Sequence, residues 1–247
     1  MVCLGVNRIS IDTLLQVKQT LKERADVAPF FKARKHLCAA LALTNSSVEV
    51  SDRVSSELEL FGDFACDAAG GDSHTNSYTL VEFEDAKQYS ILTRLETGKT
   101  IKRWSPRFEH GFSQLVDWAW RLSKEGPSTE AYRRIFGANN ANIHLLLIAG
   151  RDVDLNPDDQ DRIRWRANNI SLGSFRMSCL TFDGVLNTLR RRLILVKQPA
   201  QKLTTGEMVE RHASYSGHRR RTDRGRAPGP SADIRQIPGG FEAGSRL

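Results

Sequence analysis

The sequence predicts an α/β protein with a mixed β-sheet flanked by helices, and three observations carry that prediction. Apolar residues leave helical spacing for alternation near Glu57 and return to helical spacing near Phe108. Ile143 to Ala149 is a continuous run suited to a central buried strand, and it ends at Gly150. From there to Val196 helix starts and strand-like runs alternate, the order that places helices on the faces of a sheet.

Each element follows in order. Leu14, Val17 and Leu21 stand at helical spacing within Asp12 to Leu21, and Ser10 or Asp12 can cap that helix. Pro29 interrupts, Phe30 to Leu43 forms a second helix, and Asn45-Ser46-Ser47 ends it, so residues 1–50 read as an N-terminal helical segment. Leu58, Leu60, Phe64, Cys66 and Ala68 then alternate with polar or small residues, as one strand of a hairpin. Gly70 to Ser77 reads as its turn-rich loop, with His74 a solvated residue there, and Tyr78 to Glu84 as the second strand. A charged loop, Lys99 to Arg107, leads into an amphipathic helix over Phe108 to Lys124 with its stripe on Phe112, Leu115, Val116, Trp118, Ala119 and Leu122. Asn156-Pro157-Asp158-Asp159 is a helix start with its cap, its first-turn proline and its acids in place, and that helix runs to Asn168. Arg176 to Phe182 is a further strand, and Asp183 can cap the last helix, Val185 to Val196. Residues 51–197 thus read as one domain. Residues 198–247, rich in Gly, Pro, Ser and Arg without periodicity, read as a disordered basic tail.

Bulk composition narrows the function. No apolar run approaches the roughly 18 residues of a membrane helix, and the N-terminus has no signal-peptide pattern, so a cytoplasmic protein without membrane contact is expected. The four cysteines are scattered with no C-x-x-C pair, which speaks against a zinc ribbon or a disulfide framework. Net charge is +7, but +4 of it lies in Ser216 to Leu247, so the body is only mildly basic. Phosphate-binding and nucleophile-elbow motifs are missing, which leaves ATP use, dinucleotide chemistry and serine hydrolysis without support.

The acidic residues of the hairpin point to metal chemistry. Alternation puts Glu82 and Glu84 on one face of the second strand and Asp63 and Asp67 on one face of the first, opposite the apolar rows. In either register the carboxylates are expected to converge. No Lys or Arg lies between Glu57 and Glu84 to relieve their repulsion, whereas Mg²⁺ takes about six oxygens from carboxylates, a backbone carbonyl such as that of Phe83, and waters. The alternative at this level is an acidic, solvent-facing strand.

The segments Glu57 to Asp67, Thr79 to Lys87 and Trp104 to Trp118 resemble the nuclease domain of Shedu-type anti-phage proteins, of the PD-(D/E)XK superfamily, and the resemblance extends over roughly Ser51 to Leu195. It implies a restriction-endonuclease-like core, with Asp63, Glu82 and Glu84 as catalytic and metal residues, while Asp67 is either a second metal contact or a solvent-facing acid. Asp63 follows Gly62, where the superfamily often has Pro. Glu84 stands where the superfamily has lysine, and Lys87 is the candidate to reach back in its place. Gln114 matches a glutamine the superfamily places near the metal-bound water, and Arg107 and His110 precede it as candidate phosphate contacts. The implied activity is Mg²⁺-dependent hydrolysis of DNA, with Mn²⁺ able to substitute, by a homo-oligomer acting in anti-phage defence. The alternatives are a nuclease-fold domain that binds nucleic acid or protein without catalysis, and an interaction module whose acidic hairpin binds a basic partner.

Overall fold

Five strands form one sheet in the order β1-β2-β3-β4-β5: β1 (Arg53–Leu60), β2 (Phe64–Asp72), β3 (Ser77–Phe83), β4 (Asn142–Ile148) and β5 (Arg176–Leu180). The first three are antiparallel neighbours, and β3, β4 and β5 run parallel, so the sheet is mixed as the sequence predicts. The computed structural model describes residues 20–197, apart from 128, 138 and 171. The expected basic tail lies outside the described residues, as does nearly all of the helix expected from Asp12; its last position, Leu21, forms an isolated bridge with Ala86.

Helices cover both faces of the sheet. Before it come a π-helical turn (Glu23–Val27), α1 (Ala28–Lys32) and α2 (Lys35–Ala42). Pro29 does not interrupt the chain here. It sits in the first turn of α1, where its missing N–H has no intrahelical partner to lose. Between β3 and β4 lie α3 (Pro106–Glu125) and the short α4 (Glu130–Phe136), which alternation did not predict. α5 (Pro157–Asn169) precedes β5, and α6 (Phe182–Lys197) follows it. Asn156 and Asp159 close a full capping box on α5, each accepting the other's backbone N–H.

The alternation of β3 and β4 divides the core in two. Leu80, Leu145 and Leu147 face Phe108, Phe112, Leu115, Trp118 and Leu122 of α3, with Tyr132 and Phe136 of α4 and Ile163 of α5 beside them. Val81, Phe83, Leu146 and Ile148 face Phe31, Leu37 and Leu41 on one side and Phe182, Val185 and Leu186 on the other. β4 is therefore buried on both faces, which is why its sequence is near-continuously apolar.

The hairpin differs from the expected one. Leu60 pairs with Phe64 around a three-residue turn, Phe61-Gly62-Asp63, in which Phe61 and Gly62 take φ of 57° and 80°. What alternation presents as a single strand over Glu57 to Ala68 is the end of β1, a turn and the start of β2. Gly70 and Gly71, expected in a loop, are strand residues of β2. A Cβ on Gly70 would lie 2.8 Å from the Ala42 Cβ, so the glycine there lets α2 cross close to the sheet.

Candidate active site

The acidic end of β3 is placed by the register of the sheet. Glu82 and Glu84 follow Leu80 on the face turned toward α3, and the Glu84 N–H continues the parallel ladder by donating to the Ile148 carbonyl at 2.9 Å. Glu84 is fully buried beneath α3, where Gly111 leaves room for it: a Cβ at Gly111 would stand 3.0 Å from the Glu84 Cγ. The first turns of α3 then supply its partners. His110 Nδ1 lies 2.9 Å from Glu84 Oε1, and Arg107 donates to Glu84 Oε2 at 3.3 Å. The helix begins at Ser105, whose side chain accepts the Phe108 N–H, with Pro106 in the first turn.

Asp67 joins these residues from β2. Its carboxylate accepts the Phe83 N–H at 2.8 Å, past the last ladder pair between the two strands at Ala68 and Val81. Burial pushes its carboxyl up to about 6, against the lowering effect of that N–H, and the charges of Glu23, Glu84 and Glu57 push it further. Glu82 is only 5% exposed and is driven up to about 10, first by burial and then by the charges of Asp67, Glu84 and Glu23. No hydrogen-bond donor among the described residues offsets this. Glu84 is raised by burial as well, but the His110 hydrogen bond and the Arg107 charge work in the other direction.

Asp63 does not join the cluster. It is exposed in the β1–β2 turn and pairs with Arg121 Nε at 2.9 Å. Arg121 lies eleven residues beyond His110 on α3, roughly 16 Å along a helix rising 1.5 Å per residue. The expected convergence of Asp63 with Glu82 and Glu84 therefore fails, because the turn falls at Phe61–Asp63 and leaves Asp63 at the far end of β2.

Lys87 is also placed otherwise than expected. Its ammonium lies 2.5 Å from the buried Asp85 carboxylate rather than at Glu84. Gln114 is near, its Nε2 3.5 Å from His110 Nδ1. His74 is exposed in the β2–β3 turn, as expected. The lack of a nearby cation, read from the chain between Glu57 and Glu84, does not hold in space, because α3 brings Arg107 onto Glu84.

Two acids at the site were missed. The Leu21–Ala86 bridge lays the N-terminal segment against the end of β3, where the Glu23 N–H donates to Asp85 at 2.8 Å. The Glu23 carboxylate in turn lies 3.2 Å from Arg107, which thus faces Glu23, Glu84 and Asp85 together. Burial pushes Asp85 up, but Lys87, the Glu23 N–H and Arg107 outweigh it and hold the group below its usual range. Asp85 was legible as the acid next to Glu84; Glu23 carried no local signal.

A hard divalent cation suits this donor set in part. Among the described residues, no group of three or more His, Cys, Asp or Glu side chains is arranged to hold a metal ion. Both Glu84 oxygens are engaged by α3. Glu82 and Asp67 remain, two neighbouring carboxylates of which one is buried with no donor, and Mg²⁺ is often bound by only one or two carboxylates with waters and phosphate oxygens completing its shell. A family model described as Shedu protein SduA, C-terminal, matches residues 21–186. No curated protein matches the chain.

Proposed function

The chain belongs to the Shedu family through its SduA C-terminal domain, and from that premise we propose that it acts in anti-phage defence by metal-dependent hydrolysis of DNA phosphodiester bonds. The observation that carries the proposal is Glu82: a buried carboxyl with no hydrogen-bond donor, crowded by Asp67 and Glu84, is costly unless a cation completes it. In this reading Asp67 and Glu82 hold Mg²⁺ or Mn²⁺, which when bound lowers the pKa of an attacking water and takes up charge developing on the phosphate. Arg107, half exposed at the start of α3, offers its guanidinium to a phosphate oxygen, and the helix N-terminus adds its own positive end. Glu84 stays with α3, and Gln114 stands one turn on from His110.

Two features support a second reading, a nuclease-fold domain that binds DNA or protein without cutting it. Arg107 already neutralises Glu84, and no three-ligand group is preformed among the described residues. One experiment separates the two. Plasmid DNA incubated with the protein and Mg²⁺ or Mn²⁺ should be nicked, EDTA should stop this, and Glu82→Gln should abolish it while leaving the melting temperature of the apo protein near that of the wild type. Undiminished cutting by Glu82→Gln ends the first reading; DNA retention without cutting in either metal supports the second.

A further inference from the structure

Glu84 and His110 form a pair with the layout of a base and its orienting group. Glu84 is wholly buried, and its Oε1 lies 2.9 Å from His110 Nδ1. The imidazole side chain is itself 58% exposed, at the end of α3 that covers β3. A buried carboxylate that accepts Nδ1–H fixes both the tautomer and the ring orientation, and it leaves the Nε2 lone pair free. No described residue takes Nε2: the remaining contact of the ring, Gln114 Nε2 at 3.5 Å, is also to Nδ1. The charged and titratable groups around the pair are Arg107 on the same helix, which shares Glu84, Glu23 from the N-terminal segment, which holds Arg107 from the other side, and Asp67 on β2 and Glu82 on β3, whose carboxyls feel the Glu84 charge.

We propose that His110, oriented by Glu84, is the general base that takes the proton from the attacking water. This rests on the nuclease reading and deepens it. Water attacks phosphorus, an O–P bond forms, and the water proton passes to His110 Nε2. The P–O bond to the leaving sugar oxygen breaks, that oxygen is protonated from solvent, and His110 returns its proton to solvent. Glu84 is then a positioning residue. Its presence in place of the superfamily lysine gives the site a carboxylate-held imidazole where the pattern has an ammonium group.

The test uses the full chain with Mn²⁺ and a plasmid or oligonucleotide substrate. His110→Ala is expected to cut about 10²- to 10⁴-fold more slowly than the wild type, the usual worth of a general base. It should keep the wild-type rise in melting temperature on adding Mn²⁺, since His110 is exposed and is not a metal ligand here. Added imidazole should restore part of the His110→Ala rate in a saturable way, and should do nothing for Glu82→Gln. Glu84→Gln should slow cutting less than His110→Ala does and gain nothing from imidazole. A His110→Ala rate within threefold of the wild type overturns the proposal, as does a slow variant that imidazole leaves unchanged. In either case a dead Glu82→Gln keeps the nuclease reading standing. A wild type inert with every divalent metal overturns both.

Discussion

Asp67 on β2 accepts the backbone N–H of Phe83 on β3 at 2.8 Å, a side chain bonding to the strand beyond the point where the ladder between the two strands ends. The alternation of β2 breaks at the same place. Cys66 and Ala69 belong to the core beneath α3, whereas Ala68 belongs to the opposite one. Across from it Glu57 on β1 takes a φ of 57°, between the pairs Ser56–Ala68 and Leu58–Cys66. The distortion frees the end of β3 from its antiparallel neighbour and sets a carboxylate beside Glu82.

Asp67 therefore has a structural and a chemical role that substitution can separate. Asp67→Ala leaves the buried Phe83 N–H without an acceptor and should cost about 1–3 kcal/mol. Asp67→Asn keeps an oxygen for that N–H and should cost less than about 1 kcal/mol by urea denaturation. Both should abolish the Mn²⁺-induced rise in melting temperature, because stabilisation by mass action needs the ligand. An Asp67→Asn protein that still responds to Mn²⁺ as the wild type does would remove Asp67 from the metal site.

How much of this was legible in the sequence depends on how local each cause is. β4, α3 and α5 were readable because an apolar run, an amphipathic stripe and the Asn156 cap are encoded within each segment. The β1–β2 turn was not, for a geometric reason. With a three-residue turn, Leu58, Leu60, Phe64 and Cys66 keep even spacing and all pack on the α3 side, so a hairpin and a single strand show the same alternation. Gly62 was the signal available, and it was matched to a superfamily proline instead. Asp63 was misplaced as a consequence. Glu23, Arg107 and His110 meet Glu84 or Asp85 only through tertiary contacts, which no periodicity reports.

Asp72 should be a principal acid-sensitive staple of the fold. One carboxylate oxygen accepts the N–H groups of Glu49 and Val50, and the other those of His74 and Thr75. The Val50 N–H, against burial and with the other three, draws its carboxyl down to about 2. A depressed folded value means the contribution is complete above the ordinary value of 3.8 and fades as pH falls toward about 2. Asp72→Ala should cost on the order of 2–4 kcal/mol at neutral pH. The gap from wild type should shrink as urea midpoints are followed from pH 5 down to about 2; a constant gap would show that the carboxylate charge is not what holds the turn.

His144 should give a second acid transition in a different window. It lies on β4 with Nε2 2.8 Å from Ser178 Oγ on β5, and burial, aided by the Arg176 charge, pushes the imidazole down to about 4. Between the ordinary value of 6.5 and about 4 the unfolded chain binds a proton that the folded protein refuses, so stability falls as pH drops through that range. His144→Asn retains a polar partner for Ser178 and removes the titrating ring. Its urea midpoint should be lower than the wild type's at pH 7, and the gap between the two should close as pH falls from 6.5 to 4.5. A slope equal to the wild type's would place the proton uptake on another group.

Gly111 is a position where α3 comes close to the site, and it offers a way to disturb Glu84 without replacing it. A Cβ there would stand 2.6 Å from Leu147 Cδ1, 3.0 Å from Glu84 Cγ and 3.4 Å from Glu84 Oε1. Leu147 is fully buried and has little room to yield, so the methyl must push on Glu84 or lift the helix. Gly111→Ala gains about 1 kcal/mol of helix propensity, while overpacking of this kind costs about 1–3 kcal/mol. Net stability should therefore fall by no more than about 2 kcal/mol. Cleavage should not be spared in the same way, because a shift of about 1 Å between Glu84 and His110 can cost up to 10²-fold when that pair orients the base. Rates of Gly111→Ala, His110→Ala and the double variant decide the matter. If Gly111 acts through the imidazole, the double variant cuts no slower than His110→Ala alone. If the two losses multiply, the methyl harms the site by another route, and the Glu84–His110 contact is not what the glycine protects.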